Sequence, residues 1–317
     1  MNKKLYLECF SGISGDMTVA ALLDLGADQA GLLHILENLP IQGYNIKIER
    51  IKKSSLDCLD FDVILDKEHE NHDHDMNYLY GGQLSHCHEY NCEHTTSHEH
   101  THNYEHTHVS ERSHENAYNH EHSYNHEHAH NHEHTHNHEH TYQHRRFRDI
   151  KEIIEKSLIT ENAQNIAIRI FEIIALAEAK AHGESFDNVH FHEVGAVDSI
   201  IDIISVAYCI DNLGINDVIV PYLCEGHGTV RCQHGILPIP VPAVSNIVTE
   251  HQIKLKLINI DGELVTPTGA AIVGALRTSD KLPDIFTISK IGLGAGKRDY
   301  GLSGILRAML ITDTESE

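Results

Sequence analysis

Basic residues are scarce in this chain: 24 lysines and arginines stand against 47 aspartates and glutamates, a formal charge of −23 with histidine neutral. A surface of that sign repels a phosphate backbone, so nucleic acid is excluded as a partner. No apolar run reaches membrane-spanning length, and Met1-Asn2-Lys3-Lys4-Leu5 does not lead into the apolar core of a signal peptide. These absences predict a soluble, cytoplasmic protein with no membrane partner. The seven cysteines are odd in number, scattered at 9, 58, 87, 92, 209, 224 and 232, and contain no C-x-x-C pair. That excludes a disulfide framework and a zinc ribbon.

Histidine is what the chain has in excess. Residues 67–144 hold 23 of the 30 histidines with 14 acidic and two basic residues and very few large aliphatic side chains. Such a segment cannot bury enough apolar surface to offset its chain entropy, and disorder without a ligand is predicted. Its clean hexapeptide copies put pairs at His120 and His122, His126 and His128, His132 and His134, and His138 and His140. Alternating imidazoles on a flexible chain wrap nickel, copper or zinc with little geometric selectivity, which suits a metal reservoir. Expansion without a role is the plainer reading. Outside the segment the charge falls to −11, since its 14 acids and two bases account for −12.

The chemistry concentrates in Val189–Ile204, V-H-F-H-E-V-G-A-V-D-S-I-I-D-I-I. In an extended Val189–Val194 the side chains alternate, so His190 and His192 face one side and Phe191 the other. After Gly195 the apolar spacing predicts a buried helix that carries Asp198 and Asp202 four apart on one face. Together with Glu193 they make a five-ligand candidate for one divalent cation, mixed imidazole and carboxylate as nickel, iron, cobalt or zinc prefer. The plainer reading makes Asp198 helix-start decoration and one histidine a hydrogen-bonded core residue; against it, Asp202 inside an isoleucine run is costly without a partner, and the metal reading is the stronger.

The remaining 240 or so residues read as two segments, 1–66 and 145–317, that pack together as an α+β (mixed α/β) fold. A strand at Lys4–Phe10, a turn with Gly12 and Gly15, and a helix from Thr18 form a unit whose free N–H groups suit phosphate, with Asp16 beside it to hold a cation. Glycines that only shape the turn are as good an explanation. An alternating strand pair, Tyr44–Ile51 and Cys58–Leu65, predicts an antiparallel hairpin. Thr268 opens a small-residue helix with a second exposed N-terminus. Gly292–Asp299 reads as a glycine loop between two strands.

Several stretches together resemble one family, LarC, the nickel-insertion proteins of the nickel-pincer nucleotide cofactor: Glu8–Met17, Ala179–Ile203, His234–Pro242, Gly262–Ile272 and Ile291–Asp299. The resemblance implies a chelatase-type lyase that places Ni(II) into pyridinium-3,5-bisthiocarboxylic acid mononucleotide for lactate racemase and related racemases or epimerases. CTP, with Mn(II) or Mg(II), is consumed in that family by a C-terminal domain. The resemblance therefore implies a further frameshift extension or partner half to supply the nucleotide site, a site not on this chain, and a homo-oligomer. On this reading the metal ligands are His190, His192, Glu193, Asp198 and Asp202, while Gly12, Gly15, Asp16 and Thr268 hold substrate phosphate or its cation. Rival readings are a non-catalytic nickel storage or chaperone protein and a metal-dependent phosphohydrolase using the central acids.

Overall fold

The computed structural model describes residues 4–66, 75–80, 145–189, 191, 197–232 and 234–313. Its frame is a mixed six-stranded sheet in the order β2-β3-β9-β10-β1-β4. The first strand, β1 (Lys4–Glu8), lies between β10 (Ile305–Asp313), to which it is antiparallel, and β4 (Asp217–Ile219), to which it is parallel. The predicted hairpin is present as β2 (Tyr44–Lys53) and β3 (Leu56–Leu65), antiparallel along its full length. Helices and an antiparallel-rich sheet in one core make the fold α+β, as expected.

The helices bury their apolar stripes against one another and the sheet. Helix α5 (Glu161–His182) starts where the Thr160 hydroxyl accepts from the Ala163 N–H, and it stops at Gly183, whose φ of 68° is a left-handed cap. Helix α6 (Val197–Asn212) follows, with Ile200, Ile201, Ile203 and Ile204 all buried. Val189 and Phe191 are buried too, and the Phe191 ring packs edge-on against Phe171 of α5. Helices α7 (Pro242–Glu250) and α8 (Pro267–Leu276) complete this layer, both with proline in the first turn. A parallel pair, β5 (Leu223–His227) and β8 (Leu255–Asp261), and a hairpin, β6 (Thr229–Cys232) and β7 (Gly235–Pro238), lie outside the main sheet.

Two expectations are corrected. Gly292–Asp299 is not a glycine loop: Gly292 and Gly294 belong to β9 (Phe286–Ala295). With Gly296 they recur every second residue and so face one way, under helix α1 (Gly15–Asp24). A Cβ at Gly292 would overlap the Ala21 carbonyl, one at Gly294 the Met17 carbonyl, and one at Gly296 would press on the Met17 sulfur. The glycines let the helix backbone rest on the strand. The second correction concerns the histidine-rich segment. Its residues 76–80 form a short helix, α3 (Met76–Tyr80), with Leu79 buried. The Tyr80 hydroxyl accepts from the Glu263 N–H at 2.9 Å and lies 2.8 Å from the Tyr300 hydroxyl. The remainder of that segment is outside the described residues.

Gly294→Ala is expected to force α1 off the strand, since backbone rather than a flexible side chain blocks the new methyl. The cost should be about 1–3 kcal/mol. Urea unfolding of the variant beside the parent chain checks this, and an unchanged midpoint would mean the helix seat is loose.

Candidate functional site

Helices α1, α6 and α8 and the 296–304 segment border one cavity of about 410 Å³. Its acidic wall is made by Asp16, in the first turn of α1, and by Asp198 and Asp202, one turn apart on α6. Asp202 lies against the start of α1, where it accepts from the Asp16 N–H and where a Cβ at Gly15 would strike its carboxylate. The anion seated at this helix N-terminus is therefore the chain's own Asp202, favoured there by the exposed N–H groups and the helix dipole. Burial, then Asp16, then Asp198, push the Asp202 carboxyl well above the ordinary carboxylate range; Lys297 and the Asp16 N–H pull the other way. Asp16 Oδ2 and Asp202 Oδ1 are buried without hydrogen-bond partners, while the Ser14 hydroxyl donates to Asp16 Oδ1. Buried acceptors in this condition suit a cation.

Opposite charge is present but already engaged. Lys297 Nζ bonds both Asp60 oxygens at 2.7 Å and reaches Asp62 at 3.3 Å, and Arg298 pairs with Glu263 at 2.5 Å. Lys53 donates to the carbonyls of Gly296 and Arg298, which fixes the segment that carries both cations. None of these pairs is visible to periodicity, because each joins residues more than 30 positions apart. The dipeptide Lys297-Arg298 after a glycine stripe was the only local signal.

Of the predicted metal ligands, Asp198 and Asp202 come together, and they are joined by Asp16, which the sequence had placed with the phosphate contacts. His190, His192 and Glu193, and the eight tract histidines from His120 to His140, lie outside the described residues. Among the described residues no three histidine, cysteine, aspartate or glutamate side chains are arranged as a metal-binding group, so the acidic wall is an open set of donors. Of the predicted phosphate contacts, Gly15 and Thr268 border the cavity. Gly12, with φ 84°, packs against the Leu264 carbonyl, which accepts from the Ile13 N–H at 3.0 Å. A packing reason thus accounts for each glycine. Thr268, buried in the first turn of α8, borders the cavity beside a helix N-terminus capped by Thr266. His227, at the end of β5, is exposed and bonds Asn259 at 3.2 Å, away from the cavity.

Glu225 was not foreseen as important. Fully buried, its Oε1 accepts from the N–H groups of Gly226 and Leu264, both at 2.8 Å, and Val265 at 3.3 Å, so one carboxyl oxygen fastens the strand that leads into α8. Burial raises its pKa from 4.5 to about 7, against the lowering by those N–H groups. The folded protein therefore holds this proton more tightly than the unfolded chain, and the stabilisation is complete below pH 4.5 and lost as pH rises to about 7. Its full size is about 3 kcal/mol. The difference in unfolding free energy between the parent chain and Glu225→Gln, measured across that range, should show this slope; a constant difference would refute it.

The family model for the nickel insertion proteins matches residues 5–317. A relative from Alkaliphilus metalliredigens, described as a pyridinium-3,5-bisthiocarboxylic acid mononucleotide nickel insertion protein, is 43% identical over 319 residues, covering 100% of this chain and 62% of its own length. Relatives of the same description from Acetivibrio thermocellus and Clostridium acetobutylicum are 33% and 40% identical, covering 99% and 96% of this chain and 61% and 63% of their own lengths. The chain thus spans a little over three fifths of these relatives. No solved structure matches it. The cavity lies within the matched region, and the match runs through nearly the whole sequence: the chain belongs to the nickel insertion protein family.

Proposed function

We propose that this chain carries the nickel-handling part of the reaction named for its relatives, insertion of nickel into pyridinium-3,5-bisthiocarboxylic acid mononucleotide. The observation that carries this reading is the acidic wall, where buried oxygens of Asp16 and Asp202 point to a cation and Asp198 stands one turn away. Nickel is the cargo. Carboxylates, joined in this reading by His190, His192 and Glu193, hold it as hard and borderline donors; the thiocarboxylate sulfurs of the acceptor are softer and bind it harder. That difference gives transfer its direction. Thr268 and the start of α8 receive the substrate phosphate, the glycines at 12 and 15 shape the turn, and the histidine pairs from His120 to His140 collect the ion.

CTP and its Mn(II) or Mg(II) enter only through the family resemblance, and no residue of this chain is assigned to them. The same holds for the partner or extension that would supply a nucleotide site, for a recipient racemase or epimerase, and for assembly into a homo-oligomer; a cytoplasmic location is the reading of the sequence alone. Among the described residues no helix is long and apolar enough to cross a membrane.

Asp202→Asn removes a half-buried carboxylate that two neighbouring acids repel. It should stabilise the fold by about 0.5–2 kcal/mol while abolishing nickel insertion. The paired substitution His190→Ala, His192→Ala should also stop insertion and leave the circular dichroism spectrum unchanged. Insertion is followed by nickel retained on the mononucleotide after the protein is removed, and full activity of either variant would remove the corresponding ligands from the site.

A further inference from the structure

Besides Lys297 and Arg298, whose charges are engaged, a third basic side chain borders the cavity. Arg231 stands on β6 opposite Ile236 of β7. Val230 before it is buried, while Arg231, on the other side of the strand, is exposed, so its guanidinium lies at the open side of the cavity and the buried Asp16 lies deeper. Among the described residues it makes no hydrogen bond and no ion pair. Pairing with β7 and packing against α3 hold the strand that carries it.

The acceptor named for the relatives carries a phosphate and two thiocarboxylates, more negative charge than its pyridinium nitrogen offsets. The acidic wall repels such a molecule, and Lys297 and Arg298 have already given their charge to Asp60, Asp62 and Glu263. A guanidinium is planar, stays charged, and can donate two parallel N–H groups to one anionic group. In open water such a contact is weak; a ligand seated over the cavity mouth excludes water from it and strengthens it. We propose that Arg231 is a substrate-binding residue: its guanidinium receives an anionic group of the mononucleotide at the cavity mouth, either the phosphate that sits at the start of α8 or a ring thiocarboxylate.

The proposal rests on the reading of the cavity as the place where the mononucleotide meets nickel. It sorts the charges there: carboxylates hold the cation inside, the guanidinium holds the anion at the mouth, and the substrate spans the two. A paired strand carries the arginine, which fixes its position more closely than a loop would. The hairpin's core contact is made by Val230, so Arg231 can be replaced without unfolding it.

Titration calorimetry of the full chain, without added metal, tests this with nicotinic acid mononucleotide, a pyridinium ring bearing one carboxylate and a ribose phosphate. Arg231→Gln should weaken binding about tenfold or more. Arg231→Lys, which keeps the charge and loses the fork, should fall between that variant and the parent chain. Arg148→Gln removes the same charge from the exposed side of α4 (Phe147–Lys156) and should bind like the parent. Two further probes identify the group received. If it is the phosphate, nicotinic acid riboside binds the parent and Arg231→Gln alike while nicotinamide mononucleotide still distinguishes them; if it is the ring anion, the two probes exchange behaviour. Equal affinity of the parent and Arg231→Gln for nicotinic acid mononucleotide would overturn the assignment and leave the cavity reading intact, and an equal loss in Arg148→Gln would reduce it to an effect of net charge. A parent chain that binds none of the three would overturn the cavity as a mononucleotide site, and the role of Arg231 with it.

Discussion

Helix α1 rests on its strand more closely than a helix with side chains beneath it can. The stripe of Gly292, Gly294 and Gly296 permits that seat, and Asp24, at the other end of the helix, accepts from the Leu293 N–H at 2.8 Å to fix it. The first turn of the helix then meets α6, where Asp202 takes the place of an external anion at the N-terminus. Packing and electrostatics are one arrangement here. Moving the helix would separate Asp16 from Asp202, so the same contact that completes the core also sets the spacing of the carboxylates.

The acidic wall is an unfavourable assembly by itself. Three carboxylates share one cavity wall, Asp16 buried and Asp198 and Asp202 half-buried, so little water is left to screen them. What holds them is rigid: a helix start for Asp202, the Ser14 hydroxyl for Asp16, and two isoleucine-rich turns for the α6 pair. The cations nearby offset the wall only in part: Lys297 lowers the Asp202 pKa but is paired with Asp60 and Asp62, and Arg298 is paired with Glu263. Strain of this kind, maintained by the surroundings, is a common mark of a working site.

Much of the fold was legible because it is written locally. The β2–β3 hairpin followed from alternation, and the helix that carries Asp198 and Asp202 followed from the apolar spacing after Gly195. Asp198 and Asp202 were found because acids in an apolar helix violate the pattern around them. The parts that were not legible depend on pairs distant in sequence. Glycines at 292 and 294 look like a loop until α1 is placed over them, and Glu225 looks ordinary until the 264–265 backbone meets it. Tyr80 was lost for another reason: the composition of the histidine-rich segment concealed one short apolar turn.

The pairing of β1 with β10 aligns Lys4 with Ile311, so the sheet joins residues 307 positions apart. During synthesis the first strand cannot find that neighbour until everything between them has been made. High contact order slows such folds, and an unpaired central strand is exposed while it waits. The histidine-rich insert adds little to that thermodynamic burden, because closing a loop of doubled length costs only about 0.6 kcal/mol more. The tract between α3 and α4 (Phe147–Lys156) is thus free to change in length at little thermodynamic cost to the sheet.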